Sequence, residues 1–372
     1  MMNTDRTNGK KHPVLKVVGI VSGIVFLLVL VGLPLAYRAV SAMGLGSGGV
    51  ADYDTRIVIW ENAAGSSSRS KLDDMNINYN GNKALSTILF GTKIVNSNYQ
   101  DAERTVDTFT YLYEIKGGFE KETYEDEPYL IPYVCEGSDA AVIIIPGGGF
   151  GYKSMDGTTG EGKDIALTLN ENGISAFVLH YRSNPYEYPI PYLDVHRAVR
   201  YLRFHCEDFH LDPDKITLIG FSAGGNEIGT FINVIRGKNF FPEEYVPDEI
   251  DSADDSVAAA SMIYPALSFR YNVPMLFCMF DDEDVRDEEK REELLKKTDL
   301  WRHVSSQAIP QFFAYGTRDG MVGLDETKNY IRRAKESGCS VTVVEAEGAD
   351  HGFSQSCYME QYLSWLNGII AQ

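Results

Sequence analysis

From about residue 120 onward, short unbroken apolar runs alternate with stretches whose apolar residues recur every three or four positions. "AAVIII" (140–145), "ISAFVLHY" (174–181), "KITLIG" (215–220), "VAAASMIY" (257–264), "QFFAYG" (311–316) and "VTVVEA" (341–346) carry few polar interruptions, as strands covered on both faces do. Between the second and third runs, Pro191 opens a helix that puts Val195, Ala198, Val199, Leu202 and Cys206 on one face. Further helices are expected near 160–172, 224–236, 324–337 and 357–370. Strand and helix in alternation predict an α/β domain over residues 120–372, with a mostly parallel central sheet and helices on both faces. No internal repeat interrupts the pattern.

Upstream the pattern differs. Between Lys16 and Arg38 lie 21 uncharged residues, "VVGIVSGIVFLLVLVGLPLAY", apolar on every face. At 1.5 Å per residue such a helix is roughly 30 Å long, the thickness of a bilayer core. Residues 17–37 are therefore expected to be a single transmembrane anchor. Residues 1–16 form a basic tail whose Lys10, Lys11 and Lys16 keep the N-terminus cytoplasmic and the body outside. The alternative is a cleaved signal peptide; its apolar region would span about 7–15 residues, and Val40-Ser41-Ala42 is a weak cleavage site. Residues 38–50, with "GLGSGG", read as a flexible linker. Residues 51–119, rich in Asn and Ser with one helix predicted near 83–96, form an N-terminal extension of unclear fold that carries no recognisable chemistry.

Charge narrows the partners. Residues 1–38 carry a net of +4, which leaves −23 for the rest of a chain whose formal net charge is −19. So acidic a body repels nucleic acid and other polyanions, and neutral substrates fit it better. The acidic run "DDEDVRDEEKREE" (281–293) reads as a solvated loop and helix, because it lacks the glycine and ligand spacing of a calcium loop. Five cysteines, 135, 206, 278, 339 and 357, show no C-x-x-C spacing and so no zinc site. A Cys339–Cys357 bridge is left open. No cofactor or metal is implied.

The chemistry gathers at strand ends. "GFSAGG" (220–225) leaves the run 215–220 through a serine boxed in by glycines and enters a helix. Such a strand–turn–helix exposes a hydroxyl above the edge of the sheet, and Ser222 is the candidate nucleophile. A serine needs a base to remove its proton. Of the histidines that follow it, His303 sits in the helical or packing context "LWRHVSS", whereas His351 sits in "EGADHGFS", a Gly-flanked loop just past strand 341–346. Catalytic groups collect at the C-terminal ends of such strands, so His351 is the candidate base. The orienting carboxylate is expected from another strand end. Asp319 in "GTRDGMV" qualifies; Asp325 lies too far into the next helix, and Asp350 is too close along the chain to His351. "PGGGFGYKS" (146–154) follows strand 140–145 and lacks the spacing of a phosphate loop, so Gly148 and Gly149, with the N–H of Ala223, are the candidate oxyanion donors.

With "FVLHYR" (177–182), "PYLDVHRAVRYLR" (191–203), "LDPDKITLIGFSAGG" (211–225), "AYGTRDGMV" (314–322) and "DHGF" (350–353), the chain resembles the α/β-hydrolase superfamily. The likeness is to the bacterial esterase/lipase branch that includes acetyl-xylan-esterase-like and feruloyl-esterase-like enzymes. It implies the α/β-hydrolase fold and a Ser222–His351–Asp319 triad. The acidic insertions between Ser222 and Asp319, "PEEYVPDEIDSADDS" and 281–293, offer little apolar area to a fatty chain, so short-chain, acetyl esters on neutral, O-acetylated carbohydrates are the expected substrates. Two motif positions depart from the resemblance: Asn226 stands where many relatives have histidine, and Pro146 where lipase-type relatives often do. Residues 51–119 and the span have no counterpart in a typical member. Two other readings share the pattern, a serine peptidase of prolyl-oligopeptidase type and a membrane-displayed hydrolase-like binding protein without turnover. The first lacks room for its propeller, and the second usually loses a triad residue.

Overall fold

The computed structural model describes residues 56–65, 128–150, 153, 160–183, 186–271, 274–304 and 309–371. The expected span 17–37, the helix near 83–96 and most of the 51–119 extension lie outside them. Among the described residues no helix is long and apolar enough to cross a membrane.

In chain order the elements are β1 (Ile57–Val58), β2 (Tyr129–Tyr133), β3 (Ala141–Ile145), α1 (Lys163–Glu171), β4 (Ser175–His180), α2 (Ile190–Phe204), β5 (Ile216–Phe221) and α3 (Ala223–Thr230). They continue with β6 (Ala259–Ile263), α4 (Pro274–Met279), α5 (Asp282–Arg286), α6 (Glu288–Thr298), β7 (Gln311–Gly316), α7 (Leu324–Glu336), β8 (Val341–Ala346) and α8 (Met359–Ile370). The eight strands form one sheet in the order β1-β2-β4-β3-β5-β6-β7-β8. The pairs β1/β2 and β2/β4 are antiparallel and all others parallel. The α/β pattern expected from the sequence is thus the observed one. It differs in detail: α2 stops at Phe204, short of Cys206, and the expected 224–236 helix becomes α3 followed by a π-helical turn at Phe231–Ile235. The acidic 281–293 run folds as α5 and the start of α6, with most of its residues exposed.

Alternate side chains of each central strand enter opposite cores, as the two-residue period demands. Ile143 and Ile145 face a core built with α2, α3 and α7, through residues such as Val199, Ile228 and Tyr330. Val142 and Ile144 face a second core with Ile165 and Leu169 of α1 and Tyr362 and Leu366 of α8. The helix after β3 therefore lies on one face and the helix after β5 on the other. Because β3 and β5 are neighbours, with Ile145 paired to Gly220, their two exit loops part at this point and leave a crevice between them. Open α/β sheets bind ligands at such a switch.

Residues 57–65 are built into this domain. β1 adds the outermost strand, and Trp60 is buried, its Nε1 donating to Asp194 Oδ1 at 3.0 Å. Arg197 Nε donates to the Ile59 carbonyl at 2.6 Å, and Arg182 Nη1 to the Ala64 carbonyl at 2.7 Å. Arg182 also forms a fully buried ion pair with Asp194, 2.6 Å long. Both guanidinium groups lie over the Trp60 ring, at 5.9 and 4.7 Å from its centre. Truncating a buried aromatic of this size costs about 3–5 kcal/mol, so this short segment holds two turns of α2 in place.

Candidate active site

Ser222 sits where β5 turns into α3, at φ 51° and ψ −112°. A non-glycine residue at positive φ costs on the order of 1–3 kcal/mol and persists only where its surroundings enforce it. Here they do. The Ser222 N–H donates to Ile263 O at 3.0 Å, and its carbonyl accepts from the N–H groups of Asn226 and Ala266. The flanking glycines are forced by crowding: a Cβ on Gly224 would stand 2.1 Å from Ile145 O, and one on Gly220 2.4 Å from Gly224 O.

The turn lifts the Ser222 hydroxyl to 2.9 Å from His351 Nε2, and His351 Nδ1 lies 2.8 Å from Asp319 Oδ2. Asp319 follows β7 and His351 follows β8, so three strand ends converge on one line of hydrogen bonds. A carboxylate can only accept, which puts the imidazole proton on Nδ1 and leaves Nε2 to take the serine proton. The Asp319 side chain is 1% exposed and that of His351 12%. The other oxygen of Asp319 accepts from the N–H groups of Met321 and Val322, at 2.9 and 3.0 Å. The sequence alternatives fall elsewhere. Asp325 lies in the first turn of α7, and His303 ends the short turn Leu300–Arg302. Asp350 accepts from the N–H groups of Gly320 and His351 at 2.9 and 2.8 Å, and so ties the loop carrying the histidine to the loop carrying Asp319.

Across the crevice lies the glycine loop after β3. Gly148 and Gly149 have φ of 134° and 61°, and both are partly exposed. Their N–H groups, and that of Ala223 at the start of α3, donate to no acceptor among the described residues. The Gly147 N–H is committed elsewhere, to Glu161 Oε2 at 2.8 Å. Phe150, at φ 60°, is fully buried between Tyr192 and Phe269 and pins the far end of the loop. Glu227, in the second turn of α3, is fully buried. Burial, and then the charge of Asp194, pushes its carboxyl pKa well up.

Three contributors were given no role by the motifs. Asn226 accepts from the Tyr192 hydroxyl at 2.9 Å and donates to Ala266 O at 2.7 Å, fixing α3 to the loop after β6. That loop begins with Tyr264, whose ring meets His351 edge-on, 5.0 Å between centres. The Tyr264 hydroxyl donates to Glu161 Oε1 at 3.0 Å. Burial, and then the neighbouring Glu161 charge, pushes the Tyr264 phenol well up, so it remains a donor. All five cysteines are free thiols. Among the described residues no group of three or more His, Cys, Asp or Glu could hold a metal ion.

The chain is similar to known esterases in sequence and to solved hydrolases in fold. The BD-FAE family profile matches residues 130–263. An acetylxylan esterase of Xylanibacter ruminicola is 36% identical over 89 residues, 24% of this chain and 18% of that protein. Esterase LipC of Mycobacterium tuberculosis is 25% identical over 243 residues, 62% of this chain and 58% of that one. The chain thus spans less than two thirds of the length of these curated relatives. An acetyl ester-xyloside bifunctional hydrolase from Caldicellulosiruptor lactoaceticus superposes with a TM-score of 0.57 at 20% identity, over 86% of this chain and 97% of that one. A truncated carbohydrate esterase from gut microbiota does so with a TM-score of 0.53 at 19% identity, over 68% and 99%. At such identities the two structures are likenesses of fold. The resemblance to the esterase/lipase branch of the α/β-hydrolase superfamily, drawn from the motifs, is borne out by these matches.

Proposed function

We propose that this α/β-hydrolase is a serine carboxylesterase that removes short acyl groups, acetyl above all, from neutral carbohydrates. The observation that carries the reading is the unbroken line Ser222–His351–Asp319, with the N–H groups of Gly148, Gly149 and Ala223 donating to no acceptor among the described residues. In the mechanism it supports, His351 Nε2 takes the Ser222 proton as Oγ attacks the ester carbonyl. The carbonyl π electrons move onto oxygen, and the N–H groups of Gly148, Gly149 and Ala223 receive the resulting oxyanion; one such donor typically contributes about 3–4 kcal/mol. Asp319 stabilises the imidazolium that forms. His351 then returns its proton to the leaving alcohol as the carbonyl reforms, giving an acyl-serine. Water, deprotonated by the same imidazole, repeats the sequence and releases the acid with Ser222 restored.

The strongly acidic body disfavours anionic substrates, and one curated relative is named an acetylxylan esterase. The 281–293 segment, largely exposed and acidic, offers little apolar area to a fatty chain. Burying one CH₂ contributes ~0.8 kcal/mol, about four-fold in kcat/KM, so a long acyl pocket would announce itself. The test compares acetyl, butyryl, octanoyl and palmitoyl p-nitrophenyl esters with the purified full-length chain. We expect kcat/KM to fall from acetyl onward; a rise with chain length would replace the carbohydrate-esterase reading by a lipase, and no hydrolysis of any of them would remove both.

The reading includes a location. Residues 17–37 anchor the chain in the cell membrane with the hydrolase domain outside; the support is the length and uniform apolarity of that stretch and the lysines before it. Carbonate-washed membranes should retain the full chain, and protease added to intact spheroplasts should digest the domain. A soluble mature protein beginning near residue 43 would mean a cleaved signal instead.

A further inference from the structure

Glu161 precedes α1 and belongs to none of the groups that exchange protons in that mechanism, yet it is only 4% exposed. Its two oxygens are divided between two parts of the site. Oε2 accepts from the Gly147 N–H at 2.8 Å, and Oε1 accepts from the Tyr264 hydroxyl at 3.0 Å. Gly147 is wedged between the carboxylate and the nucleophile. A Cβ there would stand 2.9 Å from Ser222 Cβ, 3.0 Å from Glu161 Oε2 and 2.8 Å from Phe221 O. Holding the Gly147 N–H toward Glu161 fixes the backbone immediately ahead of Gly148 and Gly149, and keeps that N–H out of the crevice. On the other arm Tyr264 is held at φ 36°, with its N–H on Ala314 O at 2.7 Å and its ring against His351. A non-glycine residue with positive φ is kept there only by its contacts.

We propose that Glu161 is a positioning residue for the reaction: one carboxylate sets both the glycine loop that receives the oxyanion and, through Tyr264, the edge against which the His351 ring rests. The inference rests on the esterase reading. Its physical basis is that oxyanion donors and base must keep a fixed separation as charge moves between them, and that a displacement of about 1 Å in such a site costs about 100-fold in rate. A group bonded to both sides couples them directly. Glutamine can serve in its place, because its amide oxygen accepts from Gly147 while its NH₂ donates to the Tyr264 oxygen. Alanine severs both arms.

The test uses the full chain with p-nitrophenyl acetate as substrate and an aryl trifluoromethyl ketone as the probe of the oxyanion site. For Glu161→Ala we expect kcat to fall by about 10- to 100-fold, while KM stays within about three-fold, the mark of an interaction that acts in the transition state. Affinity for the ketone, which forms a tetrahedral adduct on the serine, should fall in step with kcat. Glu161→Gln should recover to within about five-fold of the parent chain, since both hydrogen bonds can be rebuilt. Wild-type kcat in Glu161→Ala, unchanged ketone affinity despite lost activity, or a Gln variant as impaired as Ala would each overturn the proposal. If the Ala variant does not fold, Tyr264→Phe decides, since it keeps the Gly147 bond and cuts the other arm. It should lower kcat several-fold at unchanged KM, and wild-type kcat there would overturn the coupling. A parent chain that neither hydrolyses the ester nor binds the ketone would instead overturn the esterase reading itself.

Discussion

Replacing Ser222 by alanine is expected to abolish ester hydrolysis while leaving the fold intact. The substitution removes one oxygen. It keeps the Cβ, and so the backbone at φ 51° is neither relieved nor further strained. The N–H and carbonyl bonds of residue 222 to Ile263, Asn226 and Ala266 are untouched. The loss to stability is the single hydrogen bond to His351, about 1 kcal/mol, which a partly exposed imidazole recovers in part from water. The loss to catalysis is of another order. Without Oγ no acyl-enzyme forms, and by analogy with serine proteases kcat should fall by about 10⁶-fold. What remains comes from the donors at Gly148, Gly149 and Ala223, which still polarise a bound carbonyl. Treatment of the parent chain with a fluorophosphonate should give one covalent adduct by intact mass, absent in the variant. Labelling at another residue, or ester hydrolysis undiminished in Ser222→Ala, would show that the nucleophile lies elsewhere.

Much of this arrangement was legible in the sequence because its parts are local. The strands that carry Ser222 and Asp319 are buried on both faces and read as unbroken apolar runs; β8, before His351, is only partly buried at the edge of the sheet yet keeps an apolar run, and each site residue follows its strand within a few positions. The edge of the sheet was not legible. β1 has two residues, too few for any period, and β2 contains Pro132, which argues against a strand interior. The structure resolves that conflict. β1 pairs only with Tyr129 and Leu130, so at Pro132 the strand is bonded on one side only, where a missing N–H is tolerated. Glu161 and Tyr264 escaped for a different reason. Their nearest catalytic neighbours are separated from them by 14 residues for Gly147 and by 87 for His351, so only the closing of the fold brings them together. Asn226 was noted as a departure from the resemblance, and its task is structural: it accepts from Tyr192 and donates to Ala266.

Asp319→Asn is the change that tests the line of proton transfer, and its effect follows from where the two oxygens of Asp319 point. Oδ1 accepts from the N–H groups of Met321 and Val322, and Oδ2 from His351 Nδ1. An asparagine must keep its single carbonyl oxygen on the two backbone donors, since its NH₂ there would meet N–H head-on. Its NH₂ then faces His351 Nδ1, which must become the acceptor. The imidazole proton moves to Nε2, and the nitrogen that should take the Ser222 proton no longer can. Geometry is preserved and function is not; by analogy with the serine-protease triad, kcat should fall by about 10⁴-fold. Asp350→Asn is the matched control. Asp350 Oδ1 alone accepts, from Gly320 and His351 N–H, and an asparagine oxygen can do the same. That variant should stay within about three-fold of the parent in kcat, since both of its hydrogen bonds survive. Circular dichroism melts should show all three proteins folded. The measurement is kcat on p-nitrophenyl acetate, and if Asp350→Asn or Asp325→Asn proved the more damaging substitution, the carboxylate that orients His351 would not be Asp319.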